Sequence, residues 1–356
     1  MLNIAALRQQ QIPLAAEPRS PVPFHILMKP IGPACNLACR YCYYPQDETP
    51  VNKMDDARLE QFIRRYIAAQ PAGAREINFV WQGGEPLLAG LSFYKKALAL
   101  QARYAPDGVT ISNSLQTNGT LINDAWCRLF REHGFIIGLS LEGNEALQDY
   151  HRPDKRGRST WSAALRGIDL LHQHQVDFNL LVVVHNEMAA HAAAIYDRLV
   201  SLGARYLQFQ PLMSEGAALR EGYQLSADNW GRFMVGIWRQ WRKRCDRGRV
   251  FVINIEQAWA QYFTHTSGSC VHSARCGSNL VMEPDGQLYA CDHLINAEHR
   301  LGRRGRRLGA TAVRSAEKSA PRMPDLLGKN GLPGRLPGAS QRRRQQPPLR
   351  RLLPLL

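Results

Sequence analysis

The chain of 356 residues contains no apolar run of about 18 or more residues, the length that a membrane-spanning helix needs. Residues 1–22 also lack the charged segment followed by an apolar segment that marks a secretory signal. These absences argue against a membrane protein and a secreted protein, and we expect a cytoplasmic location. The hydrophobic share of 45% is ordinary, so a chain of this length can bury a sizeable core.

Residues 303–356 lack Cys, Trp, Tyr, Phe, His and Ile altogether, and they hold seven of the 21 prolines. Because such a composition cannot bury a core, we expect this segment to be disordered. It holds twelve arginines and two lysines against Glu317 and Asp325, which accounts for +12 of the net charge of +15. The remaining +3 on residues 1–302 gives no electrostatic footprint for a polyanion, and we expect no nucleic-acid partner.

Two explanations of this basic tail stay open. One is a natural tail that contacts nucleic acid or a membrane surface. The other, which we favour, is a reading-frame shift near codon 302, because a GC-rich gene read out of frame produces this bias toward Arg, Pro, Gly and Leu. Resequencing tests the second explanation, and an intact frame without a downstream cysteine-rich frame contradicts it.

Strand-like and helix-like segments alternate six times along the first two thirds of the chain. The predicted strands are 24–30, 76–81, 109–117, 135–141, 178–184 and 206–211, and the predicted helices are 55–70, 91–104, 125–133, 160–173, 189–202 and 227–245. Such alternation indicates parallel strands joined by crossover helices. Polar residues at the strand ends favour an α/β fold with a partial (β/α)6 TIM-like barrel, whose chemistry lies at the carboxyl ends of the strands.

Six of the eight cysteines fall in two clusters, and Cys127 and Cys245 are isolated and interpreted as small apolar side chains on helices. Clustered cysteines in a chain without a secretory signal indicate metal ligands. The first cluster offers three thiolates from one loop, Cys35, Cys39 and Cys42. Three thiolates on a [4Fe–4S] cluster leave one iron open for an outside ligand. Structural zinc is the alternative, but it prefers two pairs of ligands.

The run Cys35-x3-Cys39-x-Tyr41-Cys42 resembles the hallmark of the radical S-adenosylmethionine (SAM) family. Other segments match the family in order and at strand ends, over residues 24–215. The resemblance assigns several residues to SAM binding. Tyr41 is the aromatic residue of the cysteine motif, and Gly84 and Glu85 lie in a GGEP-like motif near the amino group. Asn118 is assigned to the ribose, Ser140 and Arg152 to the ribose and carboxylate, and Leu212 to the adenine side. The resemblance thus implies a SAM-binding [4Fe–4S] cluster and SAM as cofactors.

The second cluster, Cys270-x5-Cys276-x14-Cys291, follows the predicted barrel. Strand-like segments on both sides of Pro284-Asp285-Gly286 predict a hairpin that brings Cys276 and Cys291 together. This pattern resembles the start of a SPASM domain, the auxiliary Fe–S module of peptide-modifying radical SAM enzymes, and implies an auxiliary [4Fe–4S] cluster. A zinc hairpin is the alternative. The expected organisation is a leader (1–22), a partial barrel (23–248), a partial SPASM-like domain (249–302) and the tail (303–356).

The combined pattern most resembles the anaerobic sulfatase-maturating enzymes, above all at Cys291-Asp292-His293. The resemblance implies oxidation of an active-site Cys or Ser of a sulfatase polypeptide to formylglycine, with flavodoxin or ferredoxin as electron donor. In the mechanism that the resemblance implies, a 5′-deoxyadenosyl radical takes a β-hydrogen, Asp292 takes the thiol or hydroxyl proton, and an electron leaves through an auxiliary cluster. A carboxylate next to a cluster ligand suits a general base, although Asp after a strand is often only a turn residue.

The chain departs from this family after Cys291, because family members continue with one further ligand for the first auxiliary cluster and four for a second. The first auxiliary cluster is therefore expected to be incomplete or to have an open iron, and the second to be absent. Two other interpretations stay open: a SPASM maturase that crosslinks a ribosomal peptide, and an inactive truncated remnant. Two observations would discriminate between these interpretations. A sulfatase gene beside this one would favour maturation, and SAM cleavage by the reconstituted protein would argue against the remnant.

Overall fold

The computed structural model describes residues 4–9, 14, 19–44, 53–212, 225–265 and 279–303. The predictions made for Cys270, Cys276 and nearly all of the basic tail lie outside these residues. Within the described part of the chain, no helix is both long and apolar enough to cross a membrane.

One mixed sheet organises the described chain, with strand order β10-β9-β8-β1-β2-β3-β4-β5-β6-β7. The strands are β1 (His25–Met28), β2 (Glu76–Trp81), β3 (Thr110–Thr117), β4 (Ile136–Ser140), β5 (Phe178–Val184), β6 (Tyr206–Pro211), β7 (Phe251–Val252), β8 (Asn279–Met282), β9 (Gln287–Tyr289) and β10 (Arg300–Arg303). Strands β1 to β7 pair in parallel with their sequence neighbours. Their carboxyl ends therefore share one edge of the sheet, where the site is built.

Helices cover the sheet between these strands. They are α1 (Ile4–Arg8), α2 (Asp56–Ala69), α3 (Leu91–Tyr104), α4 (Asp124–Glu132), α5 (Glu145–His151), α6 (Trp161–Gln173), α7 (Ala192–Ser201), α8 (Ala227–Lys243) and α9 (Ile253–Thr264). Side-chain oxygens cap several helix starts: Asp55 accepts from the Arg58 amide, and Asn144 accepts from the Leu147 amide. Such caps satisfy backbone donors that the first helical turn leaves without a partner.

The core lies between the sheet and the helices, where strand β5 is nearly continuously apolar and buried. The alternation of parallel strands and helices confirms the predicted α/β fold, and the predicted strands 76–81, 178–184 and 206–211 match the observed bounds. Helices α1, α5 and α9 were not predicted, and α1 lies in the segment expected to be a leader. Helix α5 has only 7 residues and is too short for a clear apolar repeat, so its Asn144 cap was the available signal.

The two isolated cysteines differ in their surroundings. Cys127 is fully buried on α4, as the sequence predicted. The interpretation of Cys245 as an apolar helix residue was wrong, because it is exposed beyond the end of α8 with a positive φ of 54°. A residue in the left-handed conformation often ends a helix, and Cys245 has this place after α8. Its exposure is therefore set by its position at the helix end and not by its residue type.

Strand β8 joins the sheet beside β1 in parallel, with Ile26 opposite Leu280 and Met28 opposite Met282. Strands β9 and β10 continue from β8 as an antiparallel meander. The hairpin β8–β9 is the one predicted around Pro284-Asp285-Gly286, and Gly286 adopts a positive φ of 83° in its turn. Through this pairing, the chain that follows β9 lies next to the loop that follows β1.

Candidate active site

The cysteine loop follows β1. Backbone hydrogen bonds connect it to the last residue of α5 and to the residues that follow this helix. The Ala38 amide donates to the Pro153 carbonyl and the Arg40 amide donates to the His151 carbonyl, both at 2.9 Å. Within the loop, the Cys42 amide donates to the Cys39 carbonyl at 3.1 Å. These contacts hold the loop with its three cysteines at the carboxyl edge of the sheet.

The three thiols of this loop fit the ligand set of an iron–sulfur cluster. All three are free, and Cys35 and Cys39 are half-buried whereas Cys42 is exposed. Burial raises the pKa of the Cys39 thiol to about 12, although the nearby Arg152 charge lowers it. Because metal ligation requires thiolates, cluster assembly on this loop is coupled to proton release. The Cys35 sulfur also accepts hydrogen bonds from the Leu37 amide at 3.4 Å and the Asn118 side chain at 3.8 Å.

The turn after β2 packs directly on the cysteine loop. The Gly84 amide donates to the Gly32 carbonyl and the Glu85 amide donates to the Ala34 carbonyl, each at 2.8 Å. A Cβ atom on Gly84 would lie 2.0 Å from the Ala34 carbonyl oxygen, a contact that only backbone movement can relieve. Glycine at position 84 is therefore required by the close approach of two backbones, one residue from Cys35.

Replacing Gly84 with alanine is expected to displace the cysteine loop and to lower SAM cleavage about 100-fold, because misplacement by about 1 Å costs that much. Iron content after anaerobic reconstitution and release of 5′-deoxyadenosine measure the effect. Gly73→Ala is the control, since nothing lies within 4 Å of a Cβ atom there. Full iron loading and cleavage in the Gly84 variant would contradict the packing argument.

The Glu85 carboxylate points into the protein and is fully buried. It accepts hydrogen bonds from the Leu87 amide at 3.0 Å, the Thr117 hydroxyl at 2.8 Å and the Asn118 amide at 2.8 Å. This carboxylate thus ties the turn after β2 to the end of β3. The Glu85 side chain therefore has a structural role. The prediction that the backbone of Gly84 and Glu85 contacts SAM stays a prediction.

Burial raises the pKa of Glu85 from 4.5 to about 7, although its three hydrogen bonds lower it. A carboxyl with a raised folded-state pKa contributes stability that is complete below pH 4.5 and is lost as the pH rises toward 7. We expect Glu85→Gln to remove this dependence, which is worth about 3 kcal/mol. Denaturant unfolding between pH 4.5 and 8 measures it, with the exposed Glu132→Gln as control; an unchanged pH slope in the Glu85 variant would contradict the assignment.

The other residues predicted to bind SAM lie at neighbouring strand ends. The Asn118 side chain follows β3 and donates to Asn36 Oδ1 at 2.9 Å. Ser140 ends β4, and its hydroxyl oxygen accepts a hydrogen bond from the side-chain amide of Gln116 at 3.4 Å. Leu212 follows β6 and is buried, and its amide donates to the Val184 carbonyl at 2.8 Å. The parallel sheet brings these distant positions to one edge, and their contacts with SAM stay predictions.

A buried ion pair joins Arg152 to Glu142, and Tyr41 donates a hydrogen bond to it. Arg152 Nε lies 2.7 Å from Glu142 Oε1, and the Tyr41 hydroxyl donates to the same oxygen. The Arg152 guanidinium also lies 5.3 Å from the centre of the Tyr41 ring. Because Glu142 is fully buried, its charge needs this pairing. Glu142 was not among the predicted site residues, although its place two residues after the end of β4 was a signal for it.

A second ion pair holds Asp292 beside the cysteine loop. Lys29, directly after β1, is fully buried, and its Nζ lies 2.6 Å from Asp292 Oδ1. The Tyr43 hydroxyl, next to Cys42, donates to the other Asp292 oxygen. Burial opposes ionisation of Asp292, but the Lys29 charge and these hydrogen bonds outweigh it and lower the pKa of the carboxyl. Asp292 is therefore an ionised acceptor in the neutral pH range, as a general base must be.

Lys29 and Tyr43 were missed as site residues. A lysine that ends an apolar strand directly before the cysteines was the signal for Lys29. Cys291 lies half-buried after β9, and its predicted partners Cys270 and Cys276 are outside the described residues. The auxiliary ligand set of these three cysteines stays a prediction.

Parallel strands alternating with helices, with three free cysteines in the loop after the first strand, define the radical SAM class of proteins. In agreement, the family model described as Radical SAM superfamily matches residues 30–199. The chain is 98% identical over 313 residues to a serine-type anaerobic sulfatase-maturating enzyme of Klebsiella aerogenes, a match covering 88% of this chain and 77% of the relative. The chain therefore belongs to the family of anaerobic sulfatase-maturating enzymes.

More distant relatives agree with this membership. A serine-type anaerobic sulfatase-maturating enzyme of Bacteroides thetaiotaomicron is 36% identical over 79% of this chain and 72% of the relative. A solved structure described as native anSMEcpe with bound AdoMet and Kp18Cys peptide is 30% identical, with a TM-score of 0.74 over 82% of this chain and 80% of that chain. Streptococcus suis SuiB with its precursor peptide is 13% identical at a TM-score of 0.57, which shows a shared fold alone.

Proposed function

We propose that the chain oxidises an active-site serine of a sulfatase polypeptide to formylglycine without O₂. The observation that carries the proposal is the Asp292 carboxylate, which is held by Lys29 and by Tyr43, the residue that follows Cys42 in the chain. A general base is needed there because the target side chain must lose a proton as well as a hydrogen atom. Serine rather than cysteine is chosen because the relative at 98% identity is named a serine-type enzyme.

The bound groups supply the chemistry that protein side chains lack: SAM on the reduced cluster provides the radical that removes a β-hydrogen atom, and an auxiliary cluster accepts one electron. Cys35, Cys39 and Cys42 would hold the first cluster. The turn at Gly84 and the paired Arg152 would orient SAM, since Arg152 offers guanidinium donors to a carboxylate. Asp292 takes the hydroxyl proton of the serine. Loss of a hydrogen atom, a proton and an electron converts the CH₂OH group into an aldehyde.

One of the proposed partners is supported by a related structure. A peptide substrate is supported by the similar structure that holds the Kp18Cys peptide. We further propose a flavodoxin or a ferredoxin as the electron donor and the cytoplasm as the location, because both SAM cleavage and an open-iron cluster require a reducing environment. Sulfatase maturation is preferred to peptide crosslinking because the family match is to sulfatase-maturating enzymes.

The test incubates the reconstituted full chain anaerobically with SAM, dithionite and a sulfatase-derived peptide that carries serine, with its alanine version as control. Formylglycine is detected in the peptide by mass spectrometry and hydrazide capture, and 5′-deoxyadenosine is quantified in parallel. The proposal expects an aldehyde in the serine peptide only. Deoxyadenosine release without aldehyde would contradict the proposed function, and absence of both in a protein that holds its iron would support an inactive remnant.

A further inference from the structure

Two histidines and a glutamate meet behind Arg152, outside the cysteine sites. His151 ends α5, His185 directly follows β5, and Glu187 lies in the 3-10 helix Asn186–His191. Glu187 Oε1 lies 2.9 Å from His151 Nε2 and 3.2 Å from His185 Nδ1. One donor atom from each of the three side chains lies within 4.8 Å of the other two. No step of the proposed maturation reaction uses them.

The distances between these donor atoms suit a metal ion. Zinc binds histidine nitrogen and carboxylate oxygen at about 2.0–2.2 Å, so neighbouring ligands of a tetrahedral ion lie about 3.3 Å apart. The separation of 3.2 Å between Glu187 Oε1 and His185 Nδ1 is close to that value. The separation of 2.9 Å between Glu187 Oε1 and His151 Nε2 is a hydrogen bond, which an incoming ion would replace. The centres of the two imidazole rings lie 3.9 Å apart, and the ring planes are tilted by 39°. One nitrogen of each ring lies within 3.2 Å of the same Glu187 oxygen.

His185 is the strongest sign that the cluster takes a ligand. Its side chain is fully buried, and neither ring nitrogen makes a hydrogen bond within the described residues. Nδ1 is near Glu187 but without hydrogen-bond geometry, and Nε2 lies 4.0 Å from Glu142 Oε2. A buried polar group without a partner destabilises the fold, and coordination of an ion would satisfy Nδ1.

The charges around the cluster also suit a cation. Burial and the neighbouring His151 lower the pKa of His185 to about 4, so its ring is neutral and able to coordinate at neutral pH. Arg152 is the nearby cation, and it is paired with Glu142 at 2.7 Å. That pairing leaves the Glu187 carboxylate to face an incoming ion. Its side chain is 49% exposed, which gives the ion a path from solvent.

We propose that His151, His185 and Glu187 form a binding site for one divalent transition ion of the zinc class. Two imidazoles and one carboxylate prefer such an ion to Mg²⁺ or Ca²⁺, which favour oxygen ligands, and to soft ions that need thiolates. The ion would tie the end of α5, the end of β5 and the following 3-10 helix together. Since Arg152 follows His151 in the chain, the bound ion would restrict the segment that positions this arginine.

The test uses the full chain with its iron–sulfur clusters reconstituted, dialysed against a chelator and then titrated anaerobically with Zn²⁺ in competition with a chromogenic chelator. Zinc-edge X-ray absorption identifies the ligands, and thermal unfolding gives the stabilisation. We expect one zinc per chain, a first shell of nitrogen and oxygen at about 2.0 Å with imidazole scattering, and a higher Tm with Zn²⁺.

Glu187→Gln is the informative variant because its exposed side chain can change without disturbing the core. We expect it to weaken zinc binding at least tenfold and to abolish the Tm shift, with iron content unchanged. Glu145→Gln, an exposed carboxylate at the start of α5, is the matched control and should bind like the parent. A first shell with sulfur at about 2.3 Å, equal affinity in the Glu187 variant, or no zinc uptake would each overturn the proposal.

Discussion

Replacing Cys39 with serine is expected to abolish SAM cleavage and to reduce the iron content of the barrel site to near zero. Only three thiols are supplied by the loop after β1, and one iron must stay open for SAM. Losing one thiolate leaves two ligands, too few to hold the cluster. The half-buried position of Cys39 also denies a water molecule easy access as a replacement ligand.

Iron and sulfide analysis, electron paramagnetic resonance of the reduced protein and 5′-deoxyadenosine release measure this effect. Cys245→Ser is the matched control. Cys245 is exposed beyond α8, and among the described residues it forms no hydrogen bond with the cysteine loop. The control should keep the iron, the spectrum and the cleavage of the parent. A Cys39 variant that still releases deoxyadenosine would contradict ligation by this loop.

Replacing Asp292 with asparagine is expected to lower formylglycine formation by about 10²–10⁴-fold while SAM cleavage continues. General-base catalysis contributes an effect of that size, and an amide cannot accept the serine proton. Cleavage should continue because the residues predicted to contact SAM belong to other strand ends. The expected signature is therefore deoxyadenosine release that is no longer coupled to aldehyde formation.

The variant also removes the charge partner of a buried lysine, and breaking such a pair costs about 3–5 kcal/mol. Unfolding of the Asp292 variant is therefore measured beside its activity. Tyr43→Phe gives a second test, because it removes one hydrogen bond to Asp292 and leaves the ion pair with Lys29 intact. Asp285→Asn, in the turn of the same hairpin, is the control. Coupled formylglycine formation at the parent rate in the Asp292 variant would exclude it as the base.

The buried Lys29–Asp292 pair shows how the first strand, β1, and the β8–β9 hairpin depend on each other. Lys29 directly follows β1, Asp292 follows β9, and the parallel pairing of β1 with β8 brings them together. The Tyr44 hydroxyl adds a hydrogen bond to Glu283 at 2.6 Å across the same junction. The part of the chain after β8 is therefore expected to fold only against a formed barrel edge.

The sequence by itself determined the elements whose information is local. Apolar periodicity predicted the strands and most helices because burial on one face requires it, and the cysteine spacing predicted the cluster loop because three ligands must come from one turn. It also marked Asp292, through its place next to a cysteine. It did not predict the short α5, whose 7 residues carry little periodicity.

Only the tertiary structure decided the partners of these residues. Tyr43 and Asp292 are 249 positions apart, and Tyr41 and Glu142 are 101 positions apart. No spacing rule reaches across such distances, because the pairing order of parallel strands, not the chain, sets which strand ends are neighbours. The same pairing places His151 and His185 together. Burial then turns these neighbours into ion pairs and ligands, since a charge removed from water needs a partner.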